Sequence, residues 1–272
     1  MKPILKTFLI VFVCLIFLSN SVQAQTAFEV PVGGIAIIGF NADAPDEFAF
    51  VCLTEIPDGT QIRFTDKGWT ENNKFYEYES IFSWFTPGGC EVGQIVNIDL
   101  TDSANTSNIS GDKPFDLTTS SGDQLIVYQQ IGLDLNFIFA INFRLYNWQT
   151  SGNDKFSSLR PPGLDETNSV AIYEIDNSIH TGGPSNTNPA TVFDSPSDAL
   201  ASIVIKENWK GSDSTRQTMP TGFFSFETTA VHLSEFGASS GSESPPVWVL
   251  LGLVIVPAAI LLFKRPKRDC CS

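Results

Sequence analysis

From Ile35 onward the chain is a series of apolar runs of four to eight residues, each closed by Gly, Pro, Asn, Asp or Ser. Runs this short cannot make a stable helix, and their β-branched and aromatic content suits strands. They read as Ile35–Phe40, Phe48–Leu53, Gln61–Thr65, Ile81–Phe85, Gln94–Leu100, Gln124–Gln129, Asn136–Phe143 and Ser169–Tyr173. Turn signals such as PDGT, TPGG and SSGD separate them. Short strands with almost no helix between them predict an all-β fold, an antiparallel β-sandwich. One short helix is expected over Ser197–Trp209, with Ser195 or Ser197 as its N-cap.

The two ends obey other rules. Lys2 and Lys6 precede an apolar run of 11 residues, Phe8–Leu18, and Val22 and Ala24 then occupy the −3 and −1 positions of a cleavage site. That order predicts a secretory signal peptide over residues 1–24. Near the other end, residues 237–246 (GASSGSESPP) form a Ser/Gly/Pro stalk. The uncharged stretch Val247–Phe263 predicts a transmembrane helix of 17 residues, within the spanning range of about 17–25. Lys264, Arg265, Lys267 and Arg268 lie in the tail at 264–272 and predict that it stays cytoplasmic. The expected topology is single-pass, a cell-membrane protein with its β-domain at 25–236 outside.

Charge narrows the partners. The whole chain has 16 Lys and Arg against 30 Asp and Glu. Between the two ends only 10 basic residues face 29 acidic ones, which excludes the basic face that nucleic acid requires. The expected partners are the membrane, through the C-terminal helix, and a glycan or protein ligand. Only Cys52 and Cys90 fall in the outer part, where one disulfide is their simplest state, although two separately buried thiols remain an alternative.

Signs of chemistry are sparse. His180 and His232 are the only histidines, and neither belongs to a nucleophile elbow or a zinc-spaced pair. The stretch Asn41, Asp43, Asp46, Glu47 begins like a calcium loop but lacks its glycine and its distant Glu. Pro45 favours a structural turn there, with cation binding the minority reading and calcium the one cofactor to consider. No catalytic residue is assigned. A hydrolase would need carboxylates assembled in space, such as Asp46 with Asp66. Trp69 and Trp148, flanked by polar residues, are the candidate exposed aromatic face for a sugar, while Trp84 and Trp209 read as core. Asn105 and Asn108 start N-x-S/T sequons that would carry glycans only in a eukaryotic secretory route.

The succession GGIAIIGFNADAPDEFAFVCLTEIPDGTQIRFTDKGW (33–69), FDLTTSSGDQLIVYQ (115–129) and FIFAINF (137–143) resembles a secreted bacterial β-sandwich module of the lamin-tail, immunoglobulin-like type. The likeness covers about residues 33–145 closely and 146–235 loosely. It implies a non-catalytic module, so no catalytic residue carries over. The tail resembles sorting signals of the PEP-CTERM type, with SESPPVW in place of a Pro-Glu-Pro motif. A plain anchor and a processed signal both stay open. The function expected is a membrane-anchored surface module for binding, adhesion or display, with a calcium- or carbohydrate-binding protein as the alternative and the hydrolase third.

Overall fold

The computed structural model describes residues 28–226 apart from 112–113, 119–121, 146, 153, 156–157, 174 and 183–191. The chain divides into two units, Met1–Thr229 and Ala230–Ser272, and every described residue belongs to the first. The signal peptide, stalk, anchor, basic tail and His232 therefore lie outside the described residues. Among those described, no helix is long and apolar enough to cross a membrane.

Thirteen strands are described: β1 (Ile35–Asn41), β2 (Glu47–Cys52), β3 (Gln61–Thr65), β4 (Ser80–Phe85), β5 (Ile95–Asp99), β6 (Ile109–Gly111), β7 (Gln124–Ile131), β8 (Asp134–Asn142), β9 (Ser169–Ala171), β10 (Asn177–His180), β11 (Val192–Phe193), β12 (Trp209–Ser212) and β13 (Ser225–Phe226). They build a five-stranded sheet, β12-β10-β1-β2-β5, and a six-stranded sheet, β6-β4-β3-β7-β8-β9. β11 and β13 pair separately. All pairs within the five-stranded sheet are antiparallel, whereas β8–β9 and β11–β13 are parallel, a departure from the fully antiparallel expectation.

Phenylalanine fills the space between the sheets. Phe48 and Phe50 of β2 meet Phe64 of β3 at ring distances of 5.0 and 4.9 Å, and Phe50 meets Trp84 of β4 edge-on at 4.9 Å. Phe40 of β1 stacks on Phe143 at 4.2 Å. A bulge between Ile37 and Gly39 makes the last contact available. It adds one residue to β1, so Phe40 turns to the same side as Ile37 and pairs with Phe48. Each such ring, fully buried, contributes roughly 1.5–3 kcal/mol of transfer free energy.

Cys52 and Cys90 form the disulfide, with a Cα–Cα distance of 6.3 Å. β2 leaves the five-stranded sheet at Cys52, β3 and β4 run in the other sheet, and the chain returns through Cys90 to β5 beside β2. The bridge therefore closes the loop that contains the whole β3–β4 hairpin.

The helical content differs from expectation. Two short helices are described, α1 (Ser103–Thr106), capped by Asp102, and α2 (Pro196–Ile203), capped by Ser195. α2 starts where the N-cap signal put it but stops before Trp209. After a 3₁₀ turn at Lys206–Asn208 the chain joins β10 as β12. The Trp209 indole N–H donates to the carbonyl of Ile203 at 2.8 Å, which satisfies one of the carbonyls a helix leaves open at its end.

Candidate functional site

Antiparallel order gathers three carboxylates that are far apart in sequence. Asp66 follows the end of β3, Glu79 precedes β4 and Asp123 precedes β7. Because β4 and β7 both run antiparallel to β3, these positions share one end of the six-stranded sheet. The SGD turn sets Asp123. Gly122 has φ +64°, and a Cβ there would lie 2.5 Å from Arg144 Cα, so only glycine fits.

All three carboxylates are buried. Asp66 accepts from the backbone N–H of Ser80 at 3.0 Å and of Asp116 at 3.2 Å. Asp123 accepts from the N–H of Thr118 at 3.0 Å and Gln124 at 2.8 Å, and from the Gln124 side-chain amide at 2.7 Å. These two are loop staples. Glu79 differs, because its Oε2 is buried with no hydrogen-bond partner. Burial, with help from the Asp66 charge, pushes Glu79 up to about 8. Burial likewise lifts Asp66 to about 7 and, together with the charges of Asp66 and Glu79, holds Asp123 well above the carboxylate range.

An open pocket of about 560 Å³ lies over this cluster, lined by Asp66, Glu79, Asp116, Tyr76, Tyr78 and Lys155 among others. Tyr76 and Tyr78 meet edge to face at 5.6 Å, and Tyr78 is 60 % exposed. A larger opening of about 810 Å³ beside Pro57–Gln61 is lined by Gln129 and Gln130 and by no buried acid or base, so volume alone does not locate the chemistry. The Tyr pocket can take up a cation or hold protons shared among its carboxylates.

The acidic hairpin is built differently from a cation loop. Its turn carries a cis Ala44–Pro45 peptide, and its side chains diverge. Asp46 Oδ2 accepts from the Leu117 N–H at 2.7 Å, and Asp43 Oδ2 accepts from Asn177 Nδ2 at 2.7 Å. Asn41 is fully buried, donating to Glu47 and to the Gln217 carbonyl and accepting from the Gln217 N–H. Arg216 enters from a distant loop, its guanidinium bonding the carbonyls of Asp43 and Pro45 and the carboxylate of Glu47. The positive charge at this hairpin belongs to the protein itself. Among the described residues no group of three or more His, Cys, Asp or Glu is placed to hold a metal.

The other sequence candidates fall in varied places. Trp69, expected at the surface, is 5 % exposed. It packs edge-on against Phe75 and Phe137 in a second apolar cluster with Ile126, Tyr128, Ala140 and Leu164. The polar residues flanking it belong to loops that fold over the outer face of the six-stranded sheet, which local sequence does not reveal. Trp148 is half-buried against the same cluster. Asp46 and Asp66 each spend a carboxylate oxygen on one of two neighbouring backbone N–H groups, Leu117 at 2.7 Å and Asp116 at 3.2 Å. Asn105 and Asn108 donate their amides to the carbonyls of Asp99 and Ala104.

His180 Nε2 lies 3.1 Å from Ser202 Oγ, a distance suited to a nucleophile and its base. The ring is sealed between Phe193 and Trp209, its Nδ1 has no partner to orient it, and burial lowers it to about 4. It is a neutral core histidine. Sequence reading singled out Asp66 but missed Glu79, Asp123 and the tyrosines, although acids hugging strand ends in FTD, YES and SGD were a visible signal. Comparison with protein-family models, curated proteins and solved structures gives no match.

Proposed function

We propose that this chain is a surface module, held on the outer side of a cell membrane by Val247–Phe263, that binds, adheres or displays rather than catalyses. The observation that carries the reading is the Cys52–Cys90 disulfide inside the core, since such bridges persist in oxidising compartments. The signal-like start, the uncharged stretch near the end and the basic residues after it support the same placement. The resemblance to lamin-tail-type modules agrees with a non-catalytic role. The burial of His180, whose Nδ1 has no partner to orient the ring, favours binding over acyl transfer. Arg216 at the acidic hairpin weighs against a calcium site there. A processed C-terminal sorting signal of the PEP-CTERM type is the variant of this reading in which the anchor is removed.

Protease added to intact cells tests the topology. The domain at 25–236 should be digested while Cys270 and Cys271 stay unreactive to a membrane-impermeant maleimide until the cells are opened. A chain that survives intact-cell proteolysis and is cut only after lysis refutes the placement.

A further inference from the structure

We propose that the pocket beneath Tyr76 and Tyr78 is a binding site for a primary ammonium group, which Glu79 receives on its unpartnered carboxylate oxygen. The inference deepens the binding reading by naming a site and a ligand class.

Of the three buried acids, Asp66 and Asp123 spend their oxygens on backbone and amide donors. Glu79 is 6 % exposed, lines the pocket and leaves its buried Oε2 without a donor. A buried acceptor without a donor costs about 1–3 kcal/mol, more if charged, so the site gains from any donor that enters. The charged groups around it are Asp66, Asp123, Asp116, Lys67 and Lys155. Lys67 donates to the Glu77 carbonyl, Lys155 is itself partnered, and neither bonds Oε2. Around Glu79 three acids face two lysines, so once Asp66 and Glu79 lose their protons, at about 7 and about 8, the field favours a positive visitor.

The mouth selects the kind of cation. Tyr76 and Tyr78 offer ring faces, which attract ammonium groups by roughly 0.5–2 kcal/mol. Calcium needs about six to eight oxygens, and among the described residues no group of three or more His, Cys, Asp or Glu is placed to hold a metal. An ammonium carries three donors on a compact head and suits a carboxylate in a pocket that two tyrosines line. A pocket of about 560 Å³ admits a small amine or a single lysine side chain. Since burial lifts Glu79 to about 8, the incoming cation displaces a proton, which couples binding to pH.

Calorimetric titration of the full chain in detergent tests this, with 1,5-diaminopentane and Nα-acetyl-lysine amide as probes. Binding should release protons, so the heat should vary with the ionisation enthalpy of the buffer, and affinity should be weaker at pH 6 than at pH 8. Glu79→Gln should weaken binding by about tenfold or more, as expected for loss of a charge-assisted bond. Tyr78→Ala, at an exposed position, should weaken it several-fold while leaving the melting temperature in place. Binding of the diamine identifies a free small amine, and binding of the lysine derivative alone identifies a protein side chain. No heat from either probe at millimolar concentration overturns the proposal. So does binding that both variants leave unchanged, or a thermal shift produced by calcium and by neither amine. These outcomes are independent of where the chain resides, so failure here leaves the surface placement standing.

Discussion

Reducing the Cys52–Cys90 bridge removes a cross-link while leaving both sulfur atoms in place, so it isolates the effect on the unfolded chain. The two residues are 38 apart in sequence, and closing a loop of that length restricts the denatured ensemble by about 4 kcal/mol in the chain-entropy treatment. The loop contains the β3–β4 hairpin, so the bridge also fixes where the chain crosses between sheets. Reciprocal backbone bonds between Ile56 and Cys90, at 2.9 and 2.8 Å, hold the native geometry without the bridge. The native state should therefore survive reduction, and the change should lie almost wholly in the unfolded chain. For a domain of this size about 4 kcal/mol lowers the melting temperature by roughly 8–16 °C. Denaturant titration with tryptophan fluorescence, with and without a thiol reductant, measures the same quantity. The midpoint should fall and the slope should steepen, because a chain without the bridge exposes more surface. Coincident curves for the oxidised and reduced protein would refute the reasoning.

Two other tests concern the charges. Arg216→Met should cost about 1–2 kcal/mol, since three acceptors lose their donor while the partly exposed ion pair with Glu47 is screened. Arg216→Lys should recover little of it, as one ammonium cannot span the hairpin as a planar fork does, and thermal melting reports both. Stability should also fall as pH rises from about 6.5 to 8. In the native state Asp66 ionises at about 7 and Glu79 at about 8, and burial raises Asp123 in the same sense, whereas unfolded carboxyls ionise at about 4, so the folded chain holds more protons and the stabilisation present at low pH is lost as pH rises through the folded values. His180 acts in the opposite sense only below about 6.5, where its buried neutral ring resists protonation, so the upper window belongs to the carboxylates. Glu79→Gln should flatten the slope of melting temperature against pH there, and an unchanged slope would count against the buried cluster.

Local pattern alone located the eight long apolar runs, because a strand's composition and its flanking turns are written within a few residues. It found the acidic hairpin at Pro45 and, with only two cysteines in the outer part, the simplest disulfide. It did not find β10 (NSIH), a polar segment that is a strand because β1 and β12 flank it and bury it. Nor could it end α2 at Ile203, a limit tied to the indole of Trp209 and the pull of β10 on the residues beyond.

The charges were least legible of all. Glu47 meets its arginine across 169 residues, and Glu79 becomes an unusual acid only when β3, β4 and β7 bury it and bring Asp66 and Asp123 beside it. Residue type tells which group can ionise, whereas burial and neighbours decide whether it does. Those are properties of the closed sheets, and they exist only once distant strands have paired.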